Sequence, residues 1–246
     1  MKQPKDFLIF PLDVPSMKEA VGFVKTLSSV VGTFKIGLEL FIKAGPEIIH
    51  QIRVHAPGSK IFLDLKLHDI PETVRRAMRQ VAAYGIDLTT VHCGASERML
   101  EAAVKGSRGK VAVLGVTVLT SVGADDLLNA GYEKAYATNL PELVLKKAGM
   151  ADRSGCAGVI CSPLEAGTIK KHFGRNFLAV TPGVRPEKTD TAPDDQVRVS
   201  TPAGAVKNGS DYLVIGRPIR DAKDPAAAAK IILTEIEQAL TEGKGE

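Results

Sequence analysis

The sequence predicts an α/β fold, a single (β/α)8 TIM barrel over residues 1–246, and three observations carry that expectation. Short apolar runs rich in β-branched residues alternate with amphipathic stretches of helical period along the whole chain. Eight such runs occur, the number a closed parallel barrel of this kind requires. The 246 residues suit either one such barrel, which commonly takes roughly 250, or two small domains, and no shift in composition marks a domain boundary.

The first strand is expected over Phe7 to Asp13, an apolar run closed by a carboxylate. A helix over Ser16 to Ser29 follows, opened by a serine whose hydroxyl can satisfy one of the free N–H groups of the first turn. The second and third strands take Thr33 to Gly37 and Lys60 to Lys66. The helix Glu72 to Tyr84 begins after Pro71, at a position where a missing N–H costs no hydrogen bond. Strands then fall at Asp87 to His92, Val111 to Thr117, Gly158 to Cys161, Phe177 to Thr181 and Tyr212 to Gly216, and the helix Ala226 to Leu240 ends the pattern. The connection after the seventh strand, Pro182 to Ser200, is rich in Pro, Gly, Asp and Thr. Connections of that length are usually functional or disordered, and a lid is the functional reading.

Composition excludes several classes. The chain has 32 basic and 28 acidic residues, a net charge of +4 that is mild and dispersed, which speaks against a nucleic-acid surface and leaves small acidic ligands open. Apolar residues make up 44% of the chain, enough for a sizeable core. Met1 to Asp6 is charged and polar and the apolar run after it is short, so no signal peptide and no membrane-spanning helix is expected, and the cytoplasm is the expected location. Cys93, Cys156 and Cys161 have no metal or redox spacing and read as small core residues. There is no glycine-rich dinucleotide fingerprint and no Walker-type loop.

The chemistry concentrates in Asp64-Leu65-Lys66-Leu67-His68-Asp69-Ile70-Pro71. Asp64 and Lys66 are two apart on a strand, so regular alternation sends both side chains to one side, toward the barrel interior, and Asp69 falls just past the strand end. Opposite charges at the C-terminal mouth are costly to desolvate, and that mouth is where barrel enzymes keep their active sites. A structural ion pair capping the barrel is the plainer alternative. Asp13 ends the first strand and Lys35 lies in the second, so both converge on the same mouth. His68 and His92 raise the possibility of a metal, but an ammonium so close to two carboxylates favours charge compensation by Lys66 instead. His50, His55 and His172 fall on helices or their ends and read as surface residues.

After the eighth strand, Ile215-Gly216-Arg217-Pro218 offers a glycine for close backbone approach, helix N-terminal amides and a guanidinium, a pattern suited to phosphate. Thr181-Pro182-Gly183-Val184-Arg185 supplies a second arginine after the seventh strand. Either motif alone is equally an ordinary turn with a solvated arginine.

The run Asp64 to Val74 resembles the signature of the orotidine 5′-phosphate decarboxylase family. The resemblance extends in order through Leu12-Asp13-Val14, Phe34-Lys35-Ile36-Gly37-Leu38-Glu39-Leu40, Leu119-Thr120-Ser121, Thr181 to Arg185, Asp195-Gln196 and Ile215 to Pro218. It implies a cofactor-independent, metal-free decarboxylation of orotidine 5′-phosphate to UMP. Lys66 would protonate C6, and Lys35, Asp64 and Asp69 would complete a charged array around it. Asp13, Lys35 and Thr73 would hold the ribose and Thr120 the pyrimidine. Pro182, Arg185, Gln196, Gly216 and Arg217 would bind at the phosphate end. The resemblance further implies a homodimer in which Asp69, with Ile70 and Thr73, reaches into the partner's site. Two positions differ from the family's common pattern without touching an assigned role: Pro11, where a small residue is usual, and Cys93, where alanine is.

Two rivals stay open at this stage. A Mg2+-dependent sugar-phosphate lyase of the same superfamily, such as a ketogulonate-phosphate decarboxylase or hexulose-phosphate synthase, shares much of this site, although Ile70-Pro71-Glu72-Thr73 and Gln196 fit it less well. A barrel that binds a phosphorylated ligand without catalysis is the other, and a lysine flanked by carboxylates has little purpose there.

Overall fold

Each of the eight apolar runs becomes a strand in the computed structural model, which describes residues 2–186 and 199–242. The strands are β1 (Leu8–Pro11), β2 (Thr33–Ile36), β3 (Lys60–Leu67), β4 (Leu88–His92), β5 (Ala112–Val116), β6 (Gly158–Ile160), β7 (Leu178–Thr181) and β8 (Tyr212–Val214). Each pairs in parallel with the next, and β8 returns to β1 through Leu8 opposite Leu213 and Ile9 opposite Val214, which closes the barrel. Several predicted strands ran a residue or two further toward the mouth. There the regular ladder has ended, although Leu12, Thr117, Cys161 and Ile215 each still donate one backbone bond to a neighbouring strand.

The helices lie between the strands. Met17–Leu27 is capped as expected, with the Ser16 hydroxyl accepting from the Glu19 N–H at 3.3 Å. Pro71–Ala83 and Pro225–Glu242 each begin at a proline, one residue earlier than predicted, because proline fits the first helical position. On Pro71–Ala83 the buried residues Val74, Met78 and Val81 recur at helical spacing, so one stripe faces the sheet and the rest faces outward.

Two apolar layers follow from period-two alternation on the strands. Outward-facing residues such as Phe34, Ile61, Leu63 and Val91 pack under the helices. Inward-facing Ile9, Phe62, Leu88, Leu114, Val180 and Tyr212 form a separate cluster that fills the barrel, each contributing about 1.5–3 kcal/mol by leaving water. At the N-terminal end of the barrel the Lys2 ammonium stands 3.8 Å from the centre of the Tyr212 ring, and Lys60 Nζ donates to the Tyr212 hydroxyl at 3.0 Å. Cys93, Cys156 and Cys161 are all buried and form no disulfide. Burial pushes the Cys93 and Cys156 thiols up to about 12, so both stay protonated as small core residues.

One strand is irregular. Leu63 pairs with Thr89 and Leu67 with Val91, so Asp64, Leu65 and Lys66 stand opposite Thr90 alone. This bulge is completed by Lys66, whose φ of +50° lies in the left-handed region that a side chain enters at a cost of about 1–2 kcal/mol.

Candidate active site

The inward alternation that builds the apolar cluster continues one step toward the C-terminal mouth, where its character changes. Phe62 is followed on the same face by Asp64, Leu88 by Thr90, Ile9 by Pro11, Leu114 by Val116 and Tyr212 by Val214. Above these residues opens a cavity of about 300 Å³. Its lining includes five cationic side chains, Lys35, Lys66, Arg185, Arg217 and Arg220, and two carboxylates, Asp13 and Asp64. The surplus of positive charge suits a small polyanion.

Asp64 is the hub. It is 7% exposed, and its Oδ2 lies 2.8 Å from Lys66 Nζ and 3.4 Å from Lys35 Nζ. Its other oxygen accepts from the Thr90 hydroxyl at 2.9 Å. Lys35 Nζ also reaches Asp13 Oδ1 at 3.2 Å, giving an unbroken chain Asp13–Lys35–Asp64–Lys66 of alternating sign. Burial opposes ionisation of Asp64. The ammoniums of Lys35 and Lys66, with hydrogen bonds from Lys66 and Thr90, outweigh that penalty and hold the carboxyl below its ordinary range.

Local sequence permits this packing. A side chain at Gly37 would begin 3.0 Å from Asp13 Oδ1 and 3.4 Å from Lys35 Nζ, so the bare backbone there leaves room for the ion pair. A side chain at Gly216 would begin 2.9 Å from the Pro11 ring. Pro11, a departure from the family's common pattern at a position with no assigned role, thus forms part of the cavity wall beside Gly216.

Thr120, Pro182, Arg185, Gly216 and Arg217 all line the same cavity as Asp13, Lys35, Asp64 and Lys66. The base of the connection after β7 is tied by backbone bonds from Arg185 N–H to the Ser200 carbonyl at 2.9 Å and from Ser200 N–H to the Gly183 carbonyl at 3.0 Å. Gln196 and residues 187–198 of the expected lid lie outside the described residues. Asp69, Ile70 and Thr73 are exposed and do not line the cavity of their own chain; the Asp69 carboxylate accepts from the Ile70 N–H at 2.6 Å. Their grouping with Lys66 is therefore not met within one chain.

Two residues of the site escaped the sequence reading. Thr90 sits mid-strand in Leu88-Thr89-Thr90-Val91-His92, where threonine reads as ordinary strand composition. Arg220 lines the cavity, donates to the Asp13 carbonyl at 3.2 Å and pairs with Asp221. Its place three residues after Arg217, on the same side of a short helical turn, was the available signal. The His68 and His92 rings lie 5.7 Å apart, and burial, then His68 and Lys147, lowers the pKa of His92. Among the described residues no three His, Cys, Asp or Glu side chains converge as a metal site would require.

Comparison with known proteins places the chain in a family. A protein named orotidine 5′-phosphate decarboxylase from Desulfosudis oleivorans is 54% identical over 239 residues, covering 97% of this chain and 96% of its own. One of the same name from Halorhodospira halophila is 46% identical, covering 93% and 95%. The crystal structure of orotidine 5′-phosphate decarboxylase from Lactobacillus acidophilus superposes with a TM-score of 0.78 at 36% identity, covering 93% of this chain and 98% of that one. The family profile described as orotidine 5′-phosphate decarboxylase / HUMPS matches residues 6–232. With the profile spanning nearly the whole barrel and relatives this similar along their full length, the chain belongs to the orotidine 5′-phosphate decarboxylase / HUMPS family.

Proposed function

We propose that the protein converts orotidine 5′-phosphate to UMP and CO2 in this cavity, without a cofactor. The observation that carries the reading is the unbroken chain of alternating charge from Asp13 to Lys66, centred on the buried Asp64 and lining a cationic cavity, in a protein whose relatives bear this enzyme's name. The substrate brings two anionic groups, a phosphate and a carboxylate. Arg185, Arg217 and the close-approaching backbone at Gly216, with Pro182 beside them, suit the phosphate. Asp13 and Lys35 suit the ribose, and Thr120 the pyrimidine.

The chemistry is demanding because the pair of electrons left when the C6–carboxylate bond breaks lies in the ring plane and cannot delocalise into the ring. Stabilisation then falls to a fixed positive charge, preorganised beside C6 and strengthened where the bound substrate excludes water. Lys66 supplies it, held by Asp64 at 2.8 Å. CO2 leaves, the electron pair takes a proton from Lys66 Nζ to give the C6–H bond of UMP, and the neutral amine regains a proton from solvent. Asp64 keeps Lys66 charged and aimed. We assign no metal to the reaction because Asp64 already faces two ammoniums, whose charge a divalent ion there would have to oppose.

The same reading includes a homodimer. Asp69, Ile70 and Thr73 stand exposed beside the mouth, Ile70 with 67% of its surface open, and they would complete the charged array and the ribose contacts of a partner's site. A cytoplasmic enzyme fits three buried cysteines that form no disulfide, and no helix among the described residues is long and apolar enough to cross a membrane.

The deciding experiment follows CO2 release from orotidine 5′-phosphate by the purified protein, with and without EDTA. Turnover that survives chelation is expected. A folded sample with no turnover, or turnover abolished by EDTA, would overturn the reading, the latter in favour of a Mg2+-dependent lyase.

A further inference from the structure

The bulge in β3 leaves one residue of β4 facing three. Asp64, Leu65 and Lys66 lie between the pairs Leu63–Thr89 and Leu67–Val91, and only Thr90 stands opposite them. A regular parallel ladder would satisfy the backbone of β3 from the backbone of β4. Here a side chain takes over: the Lys66 N–H donates to Thr90 Oγ1 at 2.9 Å, and that hydroxyl donates its own proton to Asp64 Oδ1 at 2.9 Å. On the outer face the neighbouring Thr89 hydroxyl donates to the Leu63 carbonyl at 2.8 Å, at the edge of the same bulge. Thr90 is fully buried, so water does not substitute for either bond.

We infer that Thr90 is a positioning residue for the decarboxylation: its hydroxyl holds the left-handed backbone of Lys66 and the carboxylate of Asp64 together, and so fixes where the Lys66 ammonium stands. The inference rests on the decarboxylase reading above. Its basis is the chemistry of one hydroxyl that accepts and donates at once. The φ of +50° at Lys66 is unfavourable for lysine and persists only where the surroundings hold it. The bond from Lys66 N–H is one such restraint, and the bond to Asp64 turns the carboxylate so that its other oxygen meets Lys66 Nζ. A methyl group in place of the hydroxyl keeps the volume and loses both. Small displacements of a group that stabilises developing charge cost rate more than they cost binding.

The test compares wild type, Thr90→Val and Thr90→Ser by CO2 release and thermal unfolding. Thr90→Val is expected to lower kcat by about 10- to 100-fold with KM little changed, and Thr90→Ser, which keeps the hydroxyl, to restore it. Wild-type kcat in Thr90→Val, or equal loss in both variants, would overturn the inference. If Thr90→Val does not fold, Thr90→Ala is read in the same way. A wild-type protein that releases no CO2 sinks the decarboxylase reading instead. A crystal structure of the variant then decides on Thr90: Lys66 leaving its left-handed backbone and separating from Asp64 supports the role, and unchanged geometry refutes it.

Discussion

Lys66 Nζ lies 2.8 Å from Asp64 Oδ2, and the two residues meet across a bulge in which Lys66 has left the regular strand conformation. The ammonium is therefore held from two directions, by its carboxylate partner and by its own backbone. Under the proposed mechanism, replacing Lys66 by alanine removes the charge that stabilises the transition state and the proton that C6 receives. Steady-state assays of Lys66→Ala should show kcat reduced on the order of 10³-fold or more, in a protein that still folds. A variant retaining a tenth of wild-type turnover would place the chemistry elsewhere.

Asp64 links catalysis to stability through pH. Its carboxyl is held below the ordinary value of 3.8, so ionised Asp64 favours the folded state. That contribution is complete above the unfolded value and is lost as pH falls through the depressed native one. Urea unfolding of wild type between neutral and acidic pH should show stability falling on acidification, and Asp64→Asn should lose part of that slope. The same variant leaves the Lys66 ammonium without its carboxylate and Lys35 with Asp13 alone, and should be less stable at neutral pH, by on the order of 3 kcal/mol. An unchanged slope in Asp64→Asn would assign the pH dependence to other carboxylates.

Arg217 lines the end of the cavity assigned to phosphate. Binding energy gathered there serves the reaction at C6 only if the substrate carries the phosphate. Arg217→Ala is expected to lower kcat/KM for orotidine 5′-phosphate by about 100-fold or more, and to leave turnover of the unphosphorylated nucleoside nearly unaltered. Equal losses on the two substrates would show that Arg217 acts through the fold.

Subunit mixing tests whether Asp69 acts in the partner's site. Lys66→Ala and Asp69→Ala proteins should each be inactive alone. A heterodimer of the two contains one site with both residues intact, so re-equilibrating equal amounts should restore about a quarter of wild-type activity. No recovery in a sample proven to contain heterodimers would confine Asp69 to its own chain.

The sequence carried the barrel because its evidence is distributed: eight apolar runs at helix-length intervals admit few other closures. Asp13, Lys35, Asp64 and Lys66 were legible as one cluster because all four fall at the mouth ends of consecutive strands. The way Lys66 reaches Asp64 was not legible. Asp64-Leu65-Lys66 reads as plain alternation, and only the register against β4 reveals two surplus residues and a left-handed lysine. Thr90 was hidden for the same reason, since its importance comes from being the lone residue across from the bulge. Arg220 was overshadowed by Arg217 within one short turn. Local charge grouped Asp69 with Asp64 and Lys66, whereas its side chain stands exposed outside the cavity of its own chain.

The apolar cluster of Ile9, Phe62, Leu88, Leu114, Val180 and Tyr212 does more than fill space. It makes the barrel a blind vessel, stoppered at its far end by Lys2 and Tyr212. Among the described residues, the cavity over the Asp64–Lys66 pair opens at the C-terminal mouth, where Arg185, Arg217 and Arg220 line it. Under the proposed function, a phosphate seated among those arginines would stand beside the opening through which carbon dioxide leaves and the amine of Lys66 is recharged.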